Sequence, residues 1–416
     1  MHISTLEILR CPYCGGRLAL VTSMFHRTSG DDIYDGILGC HCCIFPVVDG
    51  IPVLHLLAPS VQAREHVEAK RPELALRAMV GLDDDGQAAR FEAAAASKSS
   101  TYRDVVEALG PNFEGGYFLY RFSDPTYVVA DAVVRSVAGT VLHGGRRAVD
   151  ICGGSGHLTR SLMDLSSPAP VLADLYFAKV WLARRFTAPG CEPICCDGNA
   201  PMPFARGAFG YAMCSDAFQY IWTKRQFVGE MTRLVDSHAE PGAVVINHTH
   251  NSLTWCPSHG QPLDPAGYVD LFEAVAPRIF GEAGLFADVV KGGPLDLARR
   301  DSKAALDGDP ALTIIATAHD GVFNPHRLER PAAIPRGVFR LNPLYETTQH
   351  GDRLSLKLHF PSPDYEDEYG ACRQYLPDEM AVDAAAIRAL ESGGRPEGLE
   401  ELIRRRVIVD LPNRYY

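Results

Sequence analysis

From about residue 101 to 320 the chain alternates short apolar runs with stretches of helical periodicity. Residues 148–152, 171–174, 211–215, 243–248 and 312–318 are nearly continuous apolar runs of strand length. Such runs suit strands buried on both faces, and their alternation with helical stretches implies a parallel sheet covered on both sides. The flanking regions differ. Residues 1–57 form a short unit with two cysteine pairs, closing on Val47-Val48-Asp49-Gly50-Ile51-Pro52-Val53-Leu54. Residues 58–100 are rich in Ala, Glu and Arg and read as a helical linker, interrupted by Asp83-Asp84-Asp85-Gly86 and favoured by the alanines at 93–96. Residues 321–416 are rich in Pro and Tyr and end in a helical stretch, 397–406, and a strand-like Val407-Ile408-Val409. This part is expected to be an α+β extension serving as a lid or a dimer surface. Its acid–aromatic stretch at 365–369 reads as a solvated edge.

Composition narrows the function. The chain has 416 residues, enough for two or three domains, with 46% hydrophobic and 22% charged residues. No run of 18 apolar residues occurs, and the N-terminus lacks the pattern of a secretory signal. Twelve cysteines in such a chain point to thiols and metal ligands rather than disulfides, and the cytoplasm is the expected compartment. The net charge is −11, the first 60 residues carry three Arg against five acids, and the last 96 carry 13 basic against 15 acidic residues. Phosphate binding depends on clustered Lys and Arg, so a nucleic-acid partner is not expected.

Cys11-Pro12-Tyr13-Cys14 and Cys40-His41-Cys42-Cys43 each place two residues between paired sulfurs. Two such knuckles supply four thiolates for a tetrahedral Zn²⁺, expected on Cys11, Cys14, Cys40 and Cys43, with His41 and Cys42 as stand-ins. A redox dithiol would normally be a single pair in a βαβ context, which this stretch lacks. The stretches LEILRCPYCGGRL and GILGCHCCIFPVVDGIPVL resemble the small zinc-ribbon activator subunit of RNA and protein methyltransferases. The resemblance implies a module that binds and stabilises a methyltransferase and performs no chemistry itself.

The run Asp150-Ile151-Cys152-Gly153-Gly154-Ser155-Gly156 reads as the end of a strand, a Gly-rich turn and a helix start. Such turns let a ligand approach the backbone, and the Gly-Lys-Ser/Thr ending of a phosphate loop is absent. Asp174 ends the next strand, where an acid can bond ribose hydroxyls, and Asp197 follows 23 residues later in Cys196-Asp197-Gly198-Asn199. This series resembles the class I S-adenosylmethionine (SAM)-dependent methyltransferases, especially the small-molecule group. The resemblance implies a Rossmann-like sheet, with Asp150 near the methionine moiety, Asp174 on ribose and Asp197 on adenine. Cys152, Gly153, Gly154, Ser155, Gly156, Leu175, Gly198, Asn199 and Ser215 complete the implied cofactor site. Cys152 stands where the family has its first glycine, and fits if its φ is negative. Gly210 stands where an Asp is usual. In this pattern 278–285 is the final helix, with 286–290 and 312–318 the antiparallel hairpin. An NAD site needs a similar turn and acid and is the competing reading.

Ligands in open α/β sheets bind beyond the carboxyl ends of the strands. After the fifth apolar run come Asn247-His248-Thr249-His250-Asn251, Trp255 and His259; after the preceding one come Asp216, Gln219 and Tyr220. His248 and His250, two apart, would share a strand face, and a neutral imidazole beside a hydroxyl can take its proton. A polar loop with no chemistry is the alternative. Tyr117, Tyr120 and Arg121 are candidates to cover the cofactor, or plain packing. The expectation is O-methylation of a small polar molecule such as a sugar, a glycolipid head group or a natural-product intermediate. His248, His250 and Asp216 are its catalytic candidates. An RNA methyltransferase and a non-catalytic scaffold binding a partner protein are the alternatives; a homodimer is compatible with the extra tail.

Overall fold

The computed structural model describes residues 1–82, 84–110, 116–237, 240–255, 260–328, 336–394 and 398–416. Seven strands form its main sheet: β1 (Ala148–Ile151), β2 (Val171–Asp174), β3 (Glu192–Cys195), β4 (Tyr211–Ser215), β5 (Ala243–His250), β6 (Arg278–Gly281) and β7 (Ala311–Thr317). Their order is β6-β7-β5-β4-β1-β2-β3. β1 to β5 run parallel, and β7 runs antiparallel to both β5 and β6. This is a Rossmann-like sheet of an α/β fold, with an antiparallel strand inserted beside β5.

Period-2 alternation explains its two covered faces. On one face Tyr211, Met213, Ala243 and Val245 share an apolar cluster with Val133 and Val137 of helix α1 (Pro125–Val141). On the other, Ala212, Cys214, Val244 and Ile246 meet Phe227, Val228, Met231 and Leu234 of α2 (Lys224–Val235). One assignment reverses. The helix expected at 278–285 and strand expected at 286–290 are instead β6 followed by α3 (Glu282–Val290). Leu285, Phe286, Val289 and Val290 recur at helical spacing, and the Ala283 N–H is capped by Asp309 Oδ2 at 2.9 Å. β3 was not apparent from the sequence because it is short and holds Pro193, which an edge strand tolerates.

The N-terminal unit is not set apart from this sheet. Val53 bridges Cys195 in parallel, and the Leu54 N–H donates to the Cys195 carbonyl at 2.7 Å, so the chain extends the sheet beyond β3. Leu9, Phe45 and Val47 share one apolar cluster with Ile194 and Phe204. The expected linker is three helices, Ala58–Glu68, Pro72–Val80 and Asp85–Ala96, with Val67, Ala75 and Phe91 buried in the main core. Asp84 caps the third through the Gln87 N–H; Asp83 lies outside the described residues.

The C-terminal part has its own apolar cluster around Leu344, Leu356, Tyr365 and Ile387. It comprises an antiparallel sheet of Tyr345–His350, Arg353–Leu358 and Glu379–Asp383, a pair Val338–Leu341 with Ile408–Leu411, and short helices. Glu400–Arg404 is the helical core of the expected 397–406 stretch, whose first residue lies outside the described set. The chain end returns to the sheet: Tyr415 is buried, stacks on Tyr102 at 4.7 Å and shares a 2.7 Å hydrogen bond with His157. Among the described residues no helix is long and apolar enough to cross a membrane.

Candidate cofactor and acceptor site

Three glycines of the turn after β1 serve three purposes. A Cβ on Gly153 would lie 2.3 Å from Leu172 and 2.6 Å from the Asp150 carboxylate, so packing requires Gly there. One on Gly154 (φ +54) would meet nothing within 4 Å, so the backbone here faces open space. One on Gly156 (φ +77) would lie 2.8 Å from Ala183. Cys152 departs from expectation: its φ is +59, in the left-handed region. The loop imposes that conformation, and the thiol lies beneath Gly198, where a Cβ would come within 3.2 Å of Cys152 Sγ. Strain of this kind costs about 1–3 kcal/mol and collects at functional sites.

Asp174 Oδ2 accepts the Gly154 N–H at 2.9 Å and Oδ1 the Tyr176 N–H at 2.8 Å, joining β2 to the turn. Burial pushes this carboxyl upward, and those donors oppose it. Asp197 Oδ1 accepts the Asn199 N–H at 2.8 Å, and Asn199 Oδ1 accepts the Trp222 N–H at 2.8 Å. The Leu175 carbonyl meets the Cys195 thiol at 3.2 Å, and the buried Ser155 presents its carbonyl to the Thr187 hydroxyl.

Next to this turn lies a row of orphaned polar atoms. Asp150 Oδ1, Ser215 Oγ and both amide atoms of Asn247 are buried with no partner among the described residues. They lie on adjacent strands β1, β4 and β5; Asn247 is opposite Ser215, and Asp150 is opposite Met213, two residues earlier on the same face. Leaving one such atom unpaired costs about 1–3 kcal/mol, so a row of them marks a place built for a polar ligand. SAM fits it chemically, since its ammonium and sulfonium are cationic and Asp150 offers a carboxylate oxygen. Asp150 Oδ2 accepts from Thr159 at 2.6 Å, and burial raises its pKa to about 7.

At the carboxyl ends of β4 and β5, Asp216, His248 and His250 bring one donor atom each within 4.8 Å of one another. A bulge at this end of β5 and left-handed conformations at Asp216 (φ 53) and His248 (φ 50) turn the side chains off the strands. The two imidazoles meet edge to face at 5.5 Å, although the strand geometry their spacing assumed is broken by the bulge. Glu282, opening α3, was not foreseen from the sequence. It accepts from His248 Nδ1 at 2.7 Å, the His248 N–H at 2.8 Å and the Thr313 hydroxyl at 2.9 Å. Burial would raise Glu282, but the His248 charge holds it low; burial likewise works against charge on His248, and Glu282 outweighs it, raising His248 to about 9. His250 is lowered by burial and by His248. Asp216 Oδ2 accepts from the buried Arg121 at 3.0 Å, which counters burial and holds the carboxyl low.

The 116–123 segment and the C-terminal part meet beside Arg121. Tyr365 and Tyr369, expected on a solvated edge, are buried, because the helix Pro363–Tyr369 presents both on one side. Tyr365 packs on Tyr120 at 5.8 Å, and Tyr369 on Tyr117 at 6.3 Å. Trp222 and Trp255 are 81% and 83% exposed, an exposure large apolar rings rarely show unless something covers them. His259 lies outside the described residues.

In the N-terminal unit Cys11, Cys14, Cys40 and Cys42 bring their sulfurs within 4.8 Å of one another. Cys11–Cys42, Cys14–Cys40 and Cys40–Cys42 are 3.8, 3.7 and 3.6 Å apart. The edge of a tetrahedron with Zn–S bonds of about 2.3 Å is about 3.8 Å, so these residues fit zinc. Cys43, expected in the set, lies beside these four, its sulfur 3.4 Å from that of Cys42. Its carbonyl is held by the Cys40 N–H at 3.0 Å, and its side chain packs against the apolar cluster under the loop.

No model of a known protein family matches the sequence, and no curated protein does. Solved structures are similar over less than half of the chain. A SAM-dependent methyltransferase of Mesorhizobium loti is 13% identical over 46% of this chain and 97% of its own, with a TM-score of 0.34. Geranyl diphosphate C-methyltransferase of Streptomyces coelicolor, solved with Mg²⁺, geranyl diphosphate and S-adenosyl-L-homocysteine, is 14% identical over 45% and 75%, TM-score 0.34. The Haloferax volcanii complex of the Trm112 methyltransferase activator with a chain assigned as a methyltransferase gives 17% over 47% and 98%, TM-score 0.32.

Proposed function

We propose that this chain is a SAM-dependent methyltransferase that O-methylates a small polar molecule such as a sugar, a glycolipid head group or a natural-product intermediate. The observation that carries the reading is the orphaned row Asp150, Ser215 and Asn247, which joins a glycine turn on one side to the Asp216–His248–His250 cluster on the other. When bound, SAM supplies an electrophilic methyl group. Asp150 and the backbone at Gly154 would hold the amino-acid end, Asp174 the ribose, and Asp197 with Gly198 and Asn199 the adenine. Ser155, Gly156 and Leu175 shape the walls, with Cys152 and Gly153 under the turn.

The acceptor's place is at the cluster. A hydroxyl is a weak nucleophile until its proton leaves, and help with that proton contributes about 10²–10⁴-fold. Asp216, His248 and His250 would flank such a hydroxyl, with Arg121 and Glu282 fixing their orientation; Glu282 keeps His248 charged, so His250, whose pKa is lowered, would be the base. The N-terminal unit would hold one zinc on Cys11, Cys14, Cys40 and Cys42, and stabilise the catalytic part by closing the open edge of β3.

Calorimetry tests the cofactor. SAM should bind the wild type, and Asp174→Ala should weaken it by about 1.5–3 kcal/mol through loss of a charged acceptor. Tighter binding of NAD than of SAM would overturn the assignment. Transfer of labelled methyl groups from SAM into a cell extract should then mark the small-molecule pool, and label confined to RNA would replace the acceptor proposed here.

A further inference from the structure

The arrangement around Asp216 goes beyond what proton removal needs. Three donor atoms of different side chains lie within 4.8 Å of one another, and ligands at about 2.1 Å from one cation lie about 3–4 Å apart, so closure by less than an ångström would suffice. The donors are two imidazoles and one carboxylate, the set that suits divalent transition ions and leaves coordination positions open. The surrounding groups orient them. Glu282 engages His248 Nδ1 at 2.7 Å, leaving Nε2 for a ligand bond, the carboxylate–histidine pairing common behind metal sites. Arg121 takes one oxygen of Asp216, at 3.0 Å.

A second observation points into the same space. Gln219 is fully buried, its Nε2 lies 3.3 Å from Asp216 Oδ1, and its Oε1 has no partner among the described residues. Turning that amide over would place its oxygen beside Asp216 Oδ1, one of the carboxylate oxygens of the cluster. An arrangement in which a carboxylate and an amide oxygen face each other is favourable only with a cation between them.

We propose that Asp216, His248 and His250 bind a divalent transition cation, with Gln219 beside it, and that its open positions receive an oxygen of the acceptor. The site lies at the carboxyl ends of β4 and β5 and shares no residue with the thiolate cluster. A bound cation draws electron density from a coordinated hydroxyl, so its proton leaves to solvent at lower cost. The acceptor class is then a hydroxyl beside a second oxygen, as in a diol or hydroxy acid, able to chelate. This role rests on the methyltransferase reading; the metal site itself does not.

The test is a Mn²⁺ titration followed by the loss of the free-ion electron paramagnetic resonance signal. Mn²⁺ prefers oxygen and imidazole to thiolates, so the cysteine cluster does not compete. Wild type should bind about one equivalent, and His250→Ala and Asp216→Asn should each weaken it at least roughly tenfold, the loss typical for disturbed metal sites. Unchanged SAM binding and melting temperature in the two variants show that they are folded. No binding to wild type at millimolar Mn²⁺, or equal binding in both variants, would overturn the proposal. Mn²⁺ binding without any SAM binding would leave the metal site standing and remove the methyltransferase reading.

Discussion

Asp150 has one oxygen on Thr159 and the other without a partner, in a position where burial raises its pKa from 3.8 to about 7. A carboxyl whose pKa is higher folded than unfolded holds an extra proton in the folded state between those two values. Stability is therefore fully present below about pH 4 and lost as pH rises to about 7, by at most about 1.4 kcal/mol per pH unit. Denaturant unfolding of the ligand-free chain at pH 5 and pH 7 should show this loss, and Asp150→Asn should reduce it. An identical difference in both proteins would mean that Asp150 is already ionised. Asp174 was marked by its spacing after the glycine turn, and Asp150, which opens that turn, by the family resemblance. The partners of His248 were not, because Glu282 lies 34 residues along the chain and meets it only when β5 and α3 are packed.

The second cysteine knuckle shows what an element decides. Four residues, 40–43, join the strands Asp32–Gly39 and Ile44–Val48, whose last pair is Gly39 with Ile44. Spacing alone favours Cys40 with Cys43. The hairpin brings Cys42 Sγ to 3.8 Å from Cys11 Sγ and 3.6 Å from Cys40 Sγ, with Cys43 Sγ 3.4 Å from Cys42, so Cys42 is the fourth ligand proposed here. Cys42→Ser should therefore lose the zinc and unfold the knuckle, since thiolate binding and folding are coupled, while Cys43→Ser keeps about one zinc per chain. Elemental analysis with gel filtration reads both; the reverse pattern would restore Cys43. The same logic explains 278–290, where apolar content was visible but the strand–helix order was not. Gly281 and the Asp309 cap set the boundary, and one of those residues is distant in sequence.

For the whole molecule the charge balance and the local surface differ. The chain carries −11, yet Arg135, Arg160, Arg327, Arg336, Arg404, Arg405 and Arg406 line a cavity of about 650 Å³ between α1 and the C-terminal part. Much of this charge is already engaged: Arg135 with Asp131 at 2.9 Å, Arg160 with Asp410 at 2.9 Å, Arg404 with Glu401 at 2.6 Å, and Arg406 with the Phe122 carbonyl at 3.0 Å. Arg160 and Arg406 fasten the C-terminal part to the rest of the chain and Arg135 and Arg404 are paired locally, so RNA should bind more weakly than micromolar at near-physiological salt. A filter-binding assay checks this, and submicromolar affinity would favour RNA as the acceptor. The sequence by itself determined β1, β2, β4 and β5, the glycine turn and the acids that follow it, because strand burial and turn geometry are local and leave a local pattern. Only the tertiary structure decided that the N-terminal unit extends the sheet, that Cys42 joins the cysteine cluster, and that Arg121 and Gln219 meet Asp216 while Glu282 meets His248. Those relations join residues far apart in the chain, and pairing across such distances is fixed by packing, which no local pattern records.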